Sequence, residues 1–265
     1  MVSAAVSSVQ AAEPFTPYGL SHLLVVVALV GGAVALVALG RASRGSREAE
    51  RTGRILAVAV LVLLVPLQVN SMARSDAVLE QGLPLQLCDL AGLMAAYALW
   101  TRTPWAAAVT YYWGLSLTTQ AVLTPDLSAD FPDLVFLQFW GLHLLIVWTA
   151  AFLTWGLGIV PDWRGYRVTV AVSLGWMATV IAINAVVGSN YGYLNEKPGS
   201  ASALDLLGPW PWYVLAEVAI ALVAWALMTW PWVRKGRRSA TAAATPPASP
   251  EPRARAARPT HRRRR

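Results

Sequence analysis

The sequence predicts an all-α fold, a polytopic membrane bundle of about seven transmembrane helices. The 265 residues are 56% hydrophobic and only 13% charged, and their mean hydropathy is +0.49. That charged share is about half of what soluble domains carry. Seven apolar segments approach the ~20 residues that a helix needs to cross a bilayer. Trp, which favours membrane interfaces, occurs 13 times.

The predicted spans divide the chain into a short leading segment, a membrane domain and a tail, at residues 1–16, 17–233 and 234–265. In order, the spans cover residues 20–39, 55–73, 84–100, 105–123, 134–157, 168–188 and 210–230. The third span is the shortest, so six spans with a re-entrant third segment is the alternative. The tail beyond about residue 239 is rich in Ala, Pro, Arg and Thr. Because it lacks apolar residues that could be buried, we expect it to be disordered.

The positions of the basic residues predict the orientation of the chain in the membrane. Of the 21 Lys and Arg residues, 19 fall in alternate loops and in the tail, and only Arg74 and Lys197 fall on the other side. By the positive-inside rule, the N-terminus lies outside and the C-terminus inside. The net charge of +7 therefore reflects topology, and no nucleic-acid partner is expected. The basic tail could contact anionic lipid of the inner leaflet.

The chain contains one cysteine, Cys88. A single cysteine excludes an intramolecular disulfide and any site with several cysteine ligands to a metal. The sequence has no GxSxG, HExxH or phosphate-loop pattern. We therefore expect no cofactor and no metal.

Polar residues gather at one depth of the predicted bundle, in its outer half. The set comprises Asn70, Arg74, Gln86, Cys88, Asp89, Gln120, Thr124, His143, Asn184 and Glu217. Polar groups in hydrocarbon are costly, and they usually face the bundle interior or a water-filled cavity. We therefore predict a cavity open to the outside or to the outer leaflet. Each of the amides and hydroxyls could instead serve as an interhelical hydrogen bond. His22, close to the interface, is expected to face water.

These residue types suggest nucleophilic chemistry at Cys88. A thiol needs a base, and His143 could supply it if the third and fifth spans touch. Asp89, Asn184 or Glu217 could orient the imidazole. An amide from Gln86, Gln120 or Asn70 could stabilise an oxyanion. Such a set would suit acyl transfer between lipids. The alternatives are a transporter or channel with an outward-facing polar pocket, and a non-enzymatic scaffold that recruits a partner through its tail.

Several stretches resemble the YwaF-type family of bacterial membrane proteins. They are Leu83-Pro84-Leu85-Gln86-Leu87-Cys88-Asp89, Gln120-Ala121-Val122-Leu123-Thr124-Pro125-Asp126, His143 in its aromatic span, Asn190-Tyr191-Gly192-Tyr193-Leu194 with Lys197-Pro198, and Gly208-Pro209-Trp210-Pro211-Trp212-Tyr213. The resemblance covers most of residues 15–232 and extends to a eukaryotic branch of transmembrane ether-phospholipid acyltransferases.

The resemblance implies six or seven spans, a bacterial cytoplasmic membrane location, and membrane lipid as the partner. It also implies that Cys88 carries the acyl group and that His143 is the membrane histidine. Asp89, as a group that could orient the imidazole, is the third catalytic candidate. Gln86 stands where many relatives have a histidine, so a second histidine beside the thiol is not expected. Asn190, Tyr191 and Tyr193 are expected to shape the outer mouth of the substrate site.

Overall fold

A computed structural model describes residues 14–74, 82–125, 127–199 and 203–244, and gives only the backbone of residues 70, 71, 74, 203 and 237–244. These described residues form seven helices and no strand, which confirms the predicted all-α bundle. The first three helices are α1 (Leu20–Ala42), α2 (Arg47–Arg74) and α3 (Leu87–Thr101). Helix α4 begins as Pro104–Tyr112, passes through a π-helical turn at Trp113–Leu117, and ends as Thr118–Leu123. The last three are α5 (Leu134–Gly156), α6 (Trp163–Val187) and α7 (Trp212–Ala244).

Five of these helices, α1, α2, α5, α6 and α7, are long and apolar enough to cross a membrane. Their outer surfaces carry many exposed aliphatic side chains, such as Val27 and Val34 of α1. A soluble protein would bury such residues, whereas lipid solvates them. The chain is therefore a multi-pass membrane protein.

The helix ends follow local sequence signals. Pro104 occupies the first turn of α4, where its missing N–H costs nothing. The carboxylates of Asp133 and Asp162 cap α5 and α6 by accepting from the backbone N–H groups of Val135 and Gly165. Helix α6 stops at Gly188, whose φ of 76° lies in the left-handed region that glycine tolerates.

Small residues allow the inner helices to pack closely. Ala91, Ala95 and Ala98 of α3 and Ala106–Ala108 of α4 are all buried in the main core. Two glycines allow the backbones of α1 and α5 to approach closely, since a Cβ on Gly40 would lie 2.8 Å from the Cα of Gly156. Because lipid gives little hydrophobic drive between helices, such close contacts are a main source of stability.

Helix α3 begins inside the bundle rather than at its surface. Its 15 residues rise only about 22 Å, less than the ~30 Å of a bilayer core. The preceding residues 83–86 are irregular and are held by protein side chains. The N–H of Leu83 donates to Tyr191 Oη (2.9 Å), and Trp176 Nε1 donates to the carbonyl of Leu85 (3.1 Å). Irregular backbone within a membrane is tolerated where protein groups satisfy its hydrogen bonds, as Tyr191 and Trp176 do here.

The structure differs from the sequence-based boundaries at several helix ends. Helices α2 and α6 begin at Arg47 and Trp163, before the predicted starts of their spans at 55 and 168. The third helix begins at Leu87, three residues after the predicted start of its span. Helix α7 continues to Ala244, so residues 234–244 of the predicted tail are helical. Residues 1–13 and 245–265, on which the rest of the leading-segment and tail predictions fall, lie outside the described residues.

Candidate functional site

A cavity of about 490 Å³ lies between α3, α4, α5, α6 and α7. The turn Tyr191–Tyr193 and the segment that follows it form one end, through Gly192, Tyr193, Pro198 and Leu204. The polar side chains of its wall are Gln86, Cys88, Thr118, Gln120, Thr124, His143, Ser173 and Glu217. The cavity therefore brings together seven residues that the sequence predicts for the site: Gln86, Cys88, Gln120, Thr124, His143, Tyr193 and Glu217.

The remainder of the cavity wall is mainly apolar. Helices α6 and α7 contribute aliphatic side chains such as Val170, Leu174 and Leu222, and Trp225 lies among them. Trp225 is 13 residues beyond the start of α7, or about 20 Å along its axis. The cavity wall thus has a polar belt, formed by the polar side chains named above, and an apolar extension. Together they suit an amphiphilic ligand.

His143 is held in one orientation and one tautomer. Its side chain is 4% exposed, and Nδ1 lies 2.7 Å from the carbonyl oxygen of Phe139, one turn earlier on α5. A carbonyl can only accept, so Nδ1 carries the proton and Nε2 of the neutral ring carries a lone pair. Within the described part of the chain Nε2 has no hydrogen-bond partner. The Phe139 ring also packs on the imidazole, with centroids 4.2 Å apart.

The predicted orienting group of His143 is replaced by this backbone carbonyl. None of the three candidates from the sequence, Asp89, Asn184 and Glu217, makes a hydrogen bond with the ring in the described structure. Sequence patterns do not reveal such a partner, because every residue of a helix offers the same carbonyl. Phe139 itself could have been noticed, since it stands four residues before His143 on one helix face.

Cys88 lies in the first turn of α3 and lines the cavity. Its Sγ is 4.0 Å from Oδ1 of Asp89, at the long limit of a sulfur hydrogen bond. Asp89 is 9% exposed and does not line the cavity, so it lies behind the thiol. Gln86 caps α3 without a side-chain bond to it. The N–H groups of Leu87 and Cys88 therefore have no acceptor among the described residues, as is usual in a first helical turn.

Two amides and one carboxylate complete the polar belt. Oε1 of Gln86 accepts from the N–H of Gly192 (3.1 Å), so this side chain ties the start of α3 to the turn Tyr191–Tyr193. The amide of Gln120 and the carboxylate of Glu217 have no hydrogen-bond partner in the described ranges. Thr124 Oγ1 donates to the carbonyl of Gln120 (3.1 Å). Gln120 and Glu217 are therefore the groups most available to a ligand.

Three predicted site residues build the loop after α6 instead of lining the cavity. Asn184, 1% exposed, donates to Tyr191 O and accepts from Tyr191 N and Ser189 Oγ, at 3.0, 3.0 and 2.7 Å. Asn190 Nδ2 donates to Glu196 O, and its Oδ1 accepts from two backbone N–H groups. Tyr191 supports Leu83. The side chains of Asn70 and Arg74 lie outside the described residues.

His22 is buried, contrary to the expectation that it faces water. It is 2% exposed, its Nδ1 accepts from the N–H of Tyr18, and its Nε2 donates to the carbonyl of Val122. Phe15 and Trp140 pack around the ring. The imidazole joins the start of α1 to the end of α4, because both of its nitrogens find backbone partners there.

Trp176 and Ser173 are cavity residues that the sequence analysis missed. Trp176 packs against Gly192, where an added Cβ would lie 2.7 Å from the indole, and Gly192 has a φ of 69°. The sequence Tyr191-Gly192-Tyr193, a glycine between two tyrosines, was the pattern that could have indicated this close contact. Among the described residues, no cluster of three His, Cys, Asp or Glu residues could hold a metal ion.

The fold and the cavity define a multi-pass helical membrane protein with an internal amphiphilic chamber. The TMEM164 family model matches residues 17–229, which include every described cavity residue. The chain belongs to the TMEM164 family. Comparison with curated proteins gives no match. Comparison with solved structures gives none either.

Proposed function

We propose that this protein is a lipid acyltransferase that carries the acyl group on Cys88. The observation that supports this proposal is that Cys88 and His143 line one cavity and that Nε2 of His143 is free. The resemblance to YwaF-type proteins and their acyltransferase relatives points the same way. The bacterial cytoplasmic membrane is the proposed location, with the N-terminus outside.

The proposed reaction has two balanced steps. Nε2 of His143 takes the thiol proton as Sγ of Cys88 attacks the ester carbonyl of a donor lipid. The ester C–O bond breaks, the leaving alkoxide takes the proton from the imidazolium, and a thioester remains. An acceptor lipid hydroxyl then attacks the thioester. Its proton passes to Nε2 and returns to the thiolate of Cys88, so the enzyme is regenerated.

The first turn of α3 supplies the donors for the oxyanion. The N–H groups of Leu87 and Cys88 are free in the described structure, and the positive end of the helix dipole adds to their effect. The amide of Gln120 is a further donor on the cavity wall. Because α3 begins within the bundle, these donors lie away from bulk water. Hydrogen-bond donors stabilise charge more strongly in such an environment than in water.

The cavity wall supports a lipid substrate. The aliphatic side chains of α6 and α7 provide an apolar surface for an acyl chain, and the polar belt provides one for the ester and headgroup. Within that belt Glu217 has no cationic partner among the described residues. In the proposal it faces the polar part of the lipid.

Intact-mass measurement of the purified full-length chain tests the proposal. Incubation with a phospholipid of defined acyl chains should add the mass of one acyl group, and neutral hydroxylamine should remove it, as expected for a thioester. Cys88→Ala should abolish the adduct, since no other thiol exists in the chain. An adduct that persists in Cys88→Ala, or that resists hydroxylamine, would rule out the acyl-cysteine.

The substitution His143→Gln tests whether His143 acts as a base or only packs in the core. It should slow adduct formation by about 100-fold or more, and raising the pH should partly restore the rate by supplying thiolate. Thr179→Ala is the control, because Thr179 is an exposed residue of α6 outside the cavity, and it should leave the rate within about two-fold. Equal rates in wild type and His143→Gln would remove His143 from the mechanism.

The transporter alternative predicts a different result. Solute flux in proteoliposomes would survive Cys88→Ser, with no acyl adduct on the wild-type protein. A scaffold would lose its activity on deletion of residues 239–265 while the bundle stays folded. The aliphatic walls of the cavity favour the lipid enzyme, since a polar solute path needs polar groups along its length.

A further inference from the structure

A second groove lies at the opposite end of α2 and α3 from the Cys88 cavity. Its volume is about 700 Å³. Its walls are Arg47, Glu50, Arg51, Arg54, Ile55 and Val58 of α2 together with Trp100 near the end of α3. We call it the α2 groove. It shares no residue with the Cys88 cavity, and the proposed acyl transfer does not use it.

The α2 groove carries three guanidinium groups and one carboxylate. Arg47, Arg51 and Arg54 follow one another at spacings of four and three residues, so they share a helix face. The one ion pair among the described residues, Lys197 with Asp205, lies elsewhere. The three cations therefore have no carboxylate partner in the described structure. Glu50 stands one turn from both Arg47 and Arg54 and offsets part of their charge, so three cations and one anion leave the groove with an excess of positive charge that a bound anion would offset.

Trp100 marks the depth of the groove in the membrane. Its ring is 62% exposed, and the Arg54 guanidinium carbon lies 5.8 Å from the ring centroid. Exposed Trp residues prefer the level of the lipid headgroups, where arginine can bind phosphate through two parallel hydrogen bonds. The guanidinium groups therefore lie where lipid phosphates lie.

An apolar stripe continues from the arginines along the same face of α2. It consists of Val58, Val62, Val65 and Val69, which are 50%, 61%, 48% and 59% exposed. From Arg54 the helix rises about 16 Å to Val65 and about 22 Å to Val69, whereas one leaflet's hydrocarbon is ~15 Å thick. The stripe is thus long enough for a lipid chain whose headgroup lies among the arginines.

We propose that the α2 groove binds an anionic phospholipid of the leaflet at the arginine-rich end of the bundle. Its phosphate would accept from Arg47, Arg51 and Arg54, and one acyl chain would lie along the valine stripe. Charge complementarity and the length of the stripe both favour a membrane lipid over a soluble phosphate. The site is independent of the proposed acyltransferase activity.

Native mass spectrometry of the full-length protein released from detergent tests the site. The chain is titrated with phosphatidylglycerol, with phosphatidylcholine of identical chains, and with glycerol 3-phosphate. Arg51→Gln with Arg54→Gln should weaken phosphatidylglycerol binding by about 30-fold, and Arg54→Gln alone by about five-fold. Phosphatidylcholine, whose choline offsets the charge of its phosphate, should bind the wild type more weakly and lose less affinity in both variants. The single variant keeps the test valid if the double variant fails to insert in the membrane.

Arg164→Gln with Arg167→Gln is the matched control. These two exposed arginines lie at the same end of the bundle, on α6 and outside the groove. Their removal should change phosphatidylglycerol affinity by less than about three-fold, since the residual effect is long-range. Equal losses in both pairs would overturn the proposal. So would glycerol 3-phosphate binding as tightly as the lipid, or a dimer peak that the Arg51 and Arg54 variants abolish.

Discussion

The imidazole of His143 donates from Nδ1 to the carbonyl oxygen of Phe139, 2.7 Å away on the same helix. This bond leaves the lone pair on Nε2 in a ring that is 4% exposed and lines the Cys88 cavity. A backbone carbonyl of α5 therefore orients the imidazole of His143. In many catalytic sites a carboxylate has this role.

The two described histidines are predicted to be opposite neutral tautomers. His143 donates from Nδ1, whereas His22 donates from Nε2 to Val122 and accepts at Nδ1 from Tyr18. Nitrogen-15 NMR of histidine-labelled protein in lipid nanodiscs should show one signal pattern of each kind, in addition to the signals of His261, the third histidine of the chain. His143→Gln should remove the Nδ1–H pattern and His22→Gln the other. An Nε2–H signal that disappears in His143→Gln would contradict the assignment.

Tyr191→Phe should loosen the irregular segment before α3. It removes the acceptor of the Leu83 N–H at a cost of about 1 kcal/mol, and local opening should become about five-fold more frequent. Alkylation of Cys88 by a small maleimide should accelerate by the same factor. Tyr97→Phe, near the other end of α3 on a half-exposed ring, is the control and should leave the rate unchanged. Equal rates in the two variants would show that this bond does not hold the segment.

Gly40→Ala should destabilise the bundle by about 1–3 kcal/mol, because its Cβ would lie 2.8 Å from the backbone of Gly156. Gly31→Ala in the same helix meets nothing within 4 Å. It should be neutral or slightly stabilising, since alanine favours a helix. Unfolding in mixed micelles measures both changes. The close packing of α1 and α5 would be refuted if the two substitutions proved equally tolerated.

Asn184→Ala and Gln120→Ala should separate a structural residue from a substrate-binding one. Asn184→Ala leaves the N–H of Tyr191 and the hydroxyl of Ser189 without their acceptor, at a cost of about 2–3 kcal/mol in stability. Gln120→Ala breaks no side-chain bond in the described structure. It should change stability by less than about 0.5 kcal/mol while slowing acyl adduct formation about ten-fold or more. If Asn184→Ala slowed adduct formation without a loss of stability, and Gln120→Ala did the opposite, both role assignments would be wrong.

Part of the site could be predicted from residue type and depth alone. Cys88, His143, Gln120 and Glu217 stand out because polar groups are costly in apolar helices and tend to meet in one chamber. Asn184 met the same criterion but faces the loop that follows it. Depth along a helix can be counted from the sequence, whereas the direction of a side chain around the axis depends on which helices are neighbours.

The recessed start of α3 illustrates the same limit. Its apolar run suggested a short span beginning at 84, yet the helix begins at Leu87 because Tyr191 and Trp176 hold the residues before it. Those partners are 108 and 91 residues away along the chain. No local pattern reports them, since the hydrogen bonds exist only once α6 and the following turn have packed.

The sequence alone determined that this chain is an all-α membrane protein, where its helices lie approximately, and which residues are costly in lipid. These properties depend on the free energy of transferring side chains and peptide groups out of water. That free energy is set by each residue and its neighbours in the sequence. The tertiary structure decided which polar groups share a cavity, which nitrogen of His143 is free, and which amides serve the fold. Those outcomes depend on contacts between distant helices, where packing geometry selects one arrangement among many of similar hydrophobicity.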